Sequence, residues 1–144
     1  MDLYKSTSGK WSAARGREVF QTNCAVCHQI DGQGALVGPQ LDGVWGRGAE
    51  RLIEDVLMPN RNVDNAFRYS ILTLDTGGTA NGMLAREEGA AYVLIDATGA
   101  SKNIPKDEVL EIDTLPTSLM PPVFGETLAE KDFGDLMSYL LQER

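Results

Sequence analysis

Both cysteines and the only histidine of this 144-residue chain lie in five consecutive positions, Cys24-Ala25-Val26-Cys27-His28. No third cysteine exists to make a disulfide elsewhere, so the pair must serve chemistry where it stands. Two thiols about one helical turn apart can each add to a vinyl group on one porphyrin edge, and the imidazole that follows then faces the iron; this is the attachment pattern of a c-type haem. A thioredoxin-like dithiol is the first competitor, but it belongs between a strand and a helix of an α/β sheet, whereas the residues before Cys24 read as helix. Half a zinc site is the second, and the chain offers no further Cys or His pair to complete it. The expectation is one haem c, covalent through Cys24 and Cys27, with His28 on the iron. Thiol–haem bonds imply assembly outside the cytoplasm, so a periplasmic or otherwise extracytoplasmic location is expected. The opening Met1–Gly9 stretch has no apolar signal core, so either the chain is cytoplasmic or it is a mature protein or excised domain whose export signal lies outside this numbering.

The remaining composition is that of an ordinary globular domain, with 42% hydrophobic and 24% charged residues. Thirteen basic against 21 acidic residues give a net charge of -8, which argues against a nucleic-acid partner because phosphate binding needs a basic footprint. No apolar run approaches the ~20 residues needed to span a bilayer. With its only histidine committed, the chain has no hydrolytic triad, and its carboxylates form no recognisable catalytic motif. No enzyme activity is expected.

Apolar periodicity predicts a helix from Ser12 to Asn23, with Gly16 and Phe20 on one face where a second helix can approach closely. The expected partner is C-terminal: Thr127-Leu128-Ala129-Glu130 reads as a capping box, followed by Phe133, Leu136, Met137 and Leu140 at helical spacing. A third helix is predicted over Gly48–Met58, ended by Pro59. The loop from Asp31 to Leu41 is rich in glycine, and with no lysine after it and no strand before it a phosphate cradle is disfavoured; backbone passing close along a flat ring is the better use. Strands are predicted over Phe67–Leu74, Thr79–Ala85, Ala91–Asp96 and Glu108–Ile112, separated by Asp75-Thr76-Gly77-Gly78, Glu87-Glu88-Gly89 and Thr98-Gly99-Ala100. They read as a small antiparallel sheet of three or four strands. The expected fold class is mainly α, a single domain over 1–144 with a β insertion at about 65–114.

This arrangement resembles class I cytochrome c: a helix, CxxCH, a glycine-rich loop with Gly-Pro-x-Leu, a later Met-Pro loop and a C-terminal helix. More narrowly it resembles the planctomycete/verrucomicrobial-type haem-binding domain, a cytochrome c variant often found at the C-terminus of large exported dehydrogenase-like proteins. The residues carrying that likeness are Gly16-Arg17 with Phe20, Cys24–His28, Gly38-Pro39-Gln40-Leu41 and Pro59-Asn60-Arg61. Tyr69, the Asp75–Gly82 region, Ser118-Leu119-Met120-Pro121, Asp135-Leu136 and Tyr139-Leu140 continue it. The resemblance implies N- and C-terminal helices packed around the haem, and it implies that the carbonyl of Pro39 accepts from the second ring nitrogen of His28.

The sixth iron ligand is expected among the five methionines. Met1 is terminal, Met83 lies in the predicted sheet, and Met137 sits in the apolar stripe of the last helix. Met58 and Met120 remain. Met120 is the expectation, since Pro121-Pro122 stiffen its loop and the resemblance points to it. Trp45 and Arg47 are donors that suit haem propionates, with core packing and a solvated charge as their alternatives, and Tyr69 is a weaker candidate. Val37, Leu41, Val44, Leu52 and Leu119 are expected to wall the ring. Iron held by His28 and Met120 has no free position, which leaves one-electron transfer to a redox partner or to an upstream dehydrogenase domain. A haem-based ligand binder or sensor with an open or labile distal side is the alternative, and a haem-free redox or zinc module a third.

Overall fold

A computed structural model of the chain describes residues 10–144. Met1, one of the five methionines weighed above, lies outside the described residues. The chain divides into two compact units: the described residues up to Met58 together with Pro122–Arg144, and Pro59–Pro121.

The first unit is helical. Helix α1, Ala13–Asn23, begins where the Ser12 side chain accepts from the amide of Arg15, a hydroxyl cap on an otherwise unpartnered N–H. A two-residue ribbon follows, β1 (Gln29–Ile30) against β2 (Gln33–Gly34), paired antiparallel with Ile30 opposite Gln33. Its connection is Asp31-Gly32, both at positive φ (51° and 74°), a combination that closes a tight hairpin. After a 3-10 turn at Val44–Arg47 come helix α2, Ala49–Leu57, the short helix α3, Phe124–Thr127, and helix α4, Glu130–Leu140.

The core of this unit is built on α1 and α4. Phe20, Ile30, Val44, Leu52, Leu136, Met137, Tyr139 and Leu140 are buried together, and Met137 is core as its stripe predicted. Gly16 lets the two helices meet: a methyl there would overlap the Asp135 carbonyl and stand 2.8 Å from Cβ of Tyr139. Gly134 does the same for the indole of Trp11, whose ring lies where a Cβ would be. Asp135, buried in this contact, accepts from the amide of Ser12 (2.6 Å) and meets Lys131 (3.0 Å) and Arg15 (3.3 Å). Burial alone would raise its pKa; the Ser12 amide and the two cations outweigh that and hold the carboxylate below its ordinary value.

The expected capping box does not form. Helix α4 starts at Glu130 with Ala129 as its cap and no side-chain acceptor. Thr127 instead closes α3, its amide donating to Val123 and that of Leu128 to Phe124. Glu130 and Asp132 in the first turn of α4 supply the favourable negative charge by themselves.

The second unit is a five-stranded antiparallel sheet: β3 (Arg68–Leu74), β4 (Thr79–Glu88), β5 (Ala91–Ile95), β6 (Ser101–Pro105) and β7 (Val109–Ser118), in the order β6-β5-β4-β3-β7. Leu72 pairs with Ala80 on one side and Ile112 on the other. Leu72, Ala80, Leu94 and Ile104 make its small core. This sheet corrects the mainly α expectation: 34% of the described residues are helical and 30% are strand. The shortfall lies at the polar edges. Strand β6 has one buried residue in five, Ile104, and β7 runs on through Asp113, Thr114 and Pro116 with little buried, so neither carries the alternation that marks a half-buried strand.

Candidate functional site

The end of α1 turns directly into the Cys-x-x-Cys-His segment. The amide of Cys24 continues the helix by donating to Phe20, and the amides of Cys27 (3.1 Å) and His28 (2.9 Å) both donate to the carbonyl of Cys24. The two thiols are therefore held on one turn, and both are free. Burial pushes the Cys24 thiol up to about 12, helped by the neighbouring Cys27, and burial raises Cys27 as well. Thiols held protonated are the reverse of a redox dithiol, which needs a depressed pKa to attack. Among the described residues no group of three or more His, Cys, Asp or Glu side chains is placed to hold a metal ion.

His28 is positioned by the glycine-rich loop. Its Nδ1 lies 2.7 Å from the carbonyl oxygen of Pro39. A carbonyl can only accept, so Nδ1 carries the proton and Nε2 keeps a free lone pair. Burial lowers the pKa of the imidazole, opposed by the Pro39 contact, which keeps the ring neutral and able to ligate. Leu41 packs on the helical core and its amide donates to Gln29. Val44 and Leu52 are fully inside that core, and Val37 is half-buried. Trp45 is half-buried. Arg47 is 48% exposed, and its guanidinium meets Asp55 at 2.8 Å, a carboxylate that also takes Arg51 at 3.1 Å. The sequence does carry a signal for Asp55, since Arg51 and Asp55 four apart on a helix form a readable ion pair.

The methionines separate. Met58 caps α2 at its C-terminus and is 47% exposed. Met83 is buried in β4, opposite Tyr69 and Ile95. Met120 belongs to the sheet unit, two residues beyond the end of β7. Its amide donates to Oγ of Ser118 (2.9 Å), and the amide of Ser118 donates to Oδ1 of Asn60 (2.8 Å), so this loop is tied at its base. Leu119 beside it is half-buried. The structure thus gathers Cys24, Cys27, His28, Pro39, Leu41, Trp45 and Arg47 in the helical unit and puts Tyr69, Leu119 and Met120 in the other.

The donor set suits a thioether-linked haem: two free thiols one turn apart, and an imidazole with one nitrogen committed to a carbonyl and the other open. The family model for cytochrome c matches residues 13–93, which includes α1, the cysteine turn and the glycine-rich loop. The chain belongs to the cytochrome c family, whose group is a covalently bound haem c. Among curated relatives, a cytochrome c-553-like protein of Synechocystis is 51% identical over 41 residues, covering 28% of this chain and 38% of its own length. The cytochromes c of Gossypium barbadense and Arabidopsis thaliana are 47% and 44% identical over 36 residues, each covering 24% of this chain and 32% of the relative. The chain spans about a third of the length of the relatives it matches.

Proposed function

We propose that this chain is a one-electron carrier with a single haem c, bound through Cys24 and Cys27 and ligated by His28 and Met120. The observation carrying this reading is the Cys24–His28 turn, with Nδ1 of His28 at the Pro39 carbonyl and Nε2 open. The bound haem supplies a one-electron couple; the rest of the work falls to the chain. His28 and Met120 would both hold the iron and so disfavour small-molecule binding. The Pro39 carbonyl orients His28 and raises its basicity, and a thioether ligand from Met120 would favour the reduced state. Val37, Leu41, Val44, Leu52 and Leu119 would keep water from the ring, and Trp45 and Arg47, the latter paired with Asp55, would donate to its propionates. Residues 1–144 act as one monohaem domain, with the sheet as an insertion.

The finer assignments follow the same line. The pattern through Pro59-Asn60-Arg61 and Ser118–Pro121 favours the planctomycete/verrucomicrobial-type domain, and with it an exported dehydrogenase, linked or separate, as the electron source or sink. Covalent haem attachment favours a location outside the cytoplasm. No described helix is long and apolar enough to cross a membrane. Transient, charge-steered contacts would suit a basic rim on the partner, given the chain's charge of -8.

Axial ligation is tested by spectra of the Met120→Ala and Met58→Ala variants. Met120→Ala is expected to lose the weak sulfur-to-iron charge-transfer band, lower the midpoint potential and let the reduced form take up carbon monoxide. Met58→Ala is expected to leave all three unchanged. The reverse pattern reassigns the ligand, and ready uptake of carbon monoxide by the unmodified protein favours the ligand-binding alternative.

A further inference from the structure

Gly32, Gly43 and Gly48 have positive φ (74°, 80° and 84°) and open space where a side chain would point, so they serve backbone conformation. Gly38 is the opposite. It is not among the positive-φ residues, and a methyl built on it would stand 2.8 Å from Cε1, 3.1 Å from Nδ1 and 3.3 Å from Nε2 of His28. An L side chain is therefore permitted by the backbone and refused by the imidazole.

The loop has little room to retreat. The amide of Gly38 donates to the carbonyl of Cys27 at 2.7 Å, joined there by the amide of Val37 at 3.0 Å, and the next residue accepts from His28 Nδ1. Backing away to admit a methyl stretches the first bond or the last. Holding the loop still forces the ring to tilt, which opens the Nδ1 bond as well.

We propose that Gly38 is a positioning residue for His28: its bare Cα sets how closely the imidazole seats on the loop, and thereby the strength of the Nδ1–H bond to Pro39 and the electron donation of Nε2 to the iron. This rests on the haem reading for its redox consequence, while the seating itself concerns the protein alone. A weaker bond at Nδ1 makes the imidazole a poorer donor and stabilises ferric iron less, so the midpoint potential rises.

The test compares Gly38→Ala with the unmodified protein and with Gly32→Ala, which strains the backbone in open space. Nitrogen-15 and proton NMR of the imidazole measure solvent exchange of the Nδ1 proton, and redox titration gives the potential. Gly38→Ala is expected to exchange that proton about tenfold faster, as loss of one hydrogen bond implies, with a raised potential and undiminished covalent haem. Gly32→Ala is expected to lower thermal stability and leave both readouts in place. An unchanged exchange rate in Gly38→Ala overturns the proposal. Should that variant not accumulate as folded protein, the unmodified protein is read alone: an Nδ1 proton exchanging more slowly than that of a free imidazole supports the proposal, and exchange at the free rate overturns it. Because exchange is read whether or not haem is bound, colourless protein with faster exchange in the variant sinks the haem reading alone. Coloured protein with no change in exchange sinks the Gly38 proposal alone.

Discussion

Asp135 is a carboxylate buried between two helices that nonetheless stays charged, because an amide and two cations surround it. Replacing it with asparagine keeps its shape and the bond from Ser12 but removes the attraction to Arg15 and Lys131. Asp135→Asn is expected to cost about 1.5–3 kcal/mol at neutral pH, the range for hydrogen bonds to a charged group, measured by denaturant unfolding. The pH dependence has a definite sign. Its pKa is depressed in the folded state, so the stabilisation is complete above the ordinary Asp value of 3.8 and disappears as pH falls through the folded value. The stability gap between variant and unmodified protein should therefore narrow only in acid. A gap that stays constant to pH 2 contradicts this account.

Among the elements, the α1–α4 contact depends on the missing side chain of Gly16. Gly16→Ala must part the helices or shift Asp135 and Tyr139, at an expected cost of about 3 kcal/mol or somewhat more, read from the melting temperature. This contact was legible in the sequence, since Gly16 and Phe20 four apart on a periodic helix, matched by Leu136, Met137 and Leu140, leave few other ways to bury both stripes. The boundaries of α1 and α2 were legible for the same reason, with Ser12 and Pro59 marking them. Other elements left weaker traces. The Asp31-Gly32 hairpin had a clear turn signal, but its two-residue strands are too short to show alternation. Strand β6 buries one side chain and β7 carries Pro116, so the sheet came out one strand short and the fold class leaned too far towards helix. Thr127-x-x-Glu130 matched a capping pattern that the preceding turn of α3 pre-empted. At the site, CxxCH marks the two thiols and the imidazole, whereas the seating of His28 on Gly38 and the reach of Arg47 to Asp55 are tertiary contacts that no local pattern encodes.

At the scale of the whole molecule, the two units have separate cores, one gathered around Phe20 and Leu136 and the other around Leu72 and Leu94. Cys24 and Ala25 pack on the first, so a haem joined there becomes part of that core. The double variant Cys24→Ala/Cys27→Ala is expected to lose colour and melt at a lower temperature. Its hydrogen-exchange protection should fall first in α1, α2 and α4, with β3–β5 retaining theirs longer. Uniform loss across both units, or no loss at all, runs against this division of the core.

The most direct measurement is a pyridine haemochrome spectrum of protein matured in a host with a haem-attachment system, recorded after acid–acetone extraction. One haem per chain is expected to stay with the polypeptide and to disappear in Cys24→Ala/Cys27→Ala. Protein that remains colourless, or that gives up its haem to the solvent, contradicts it.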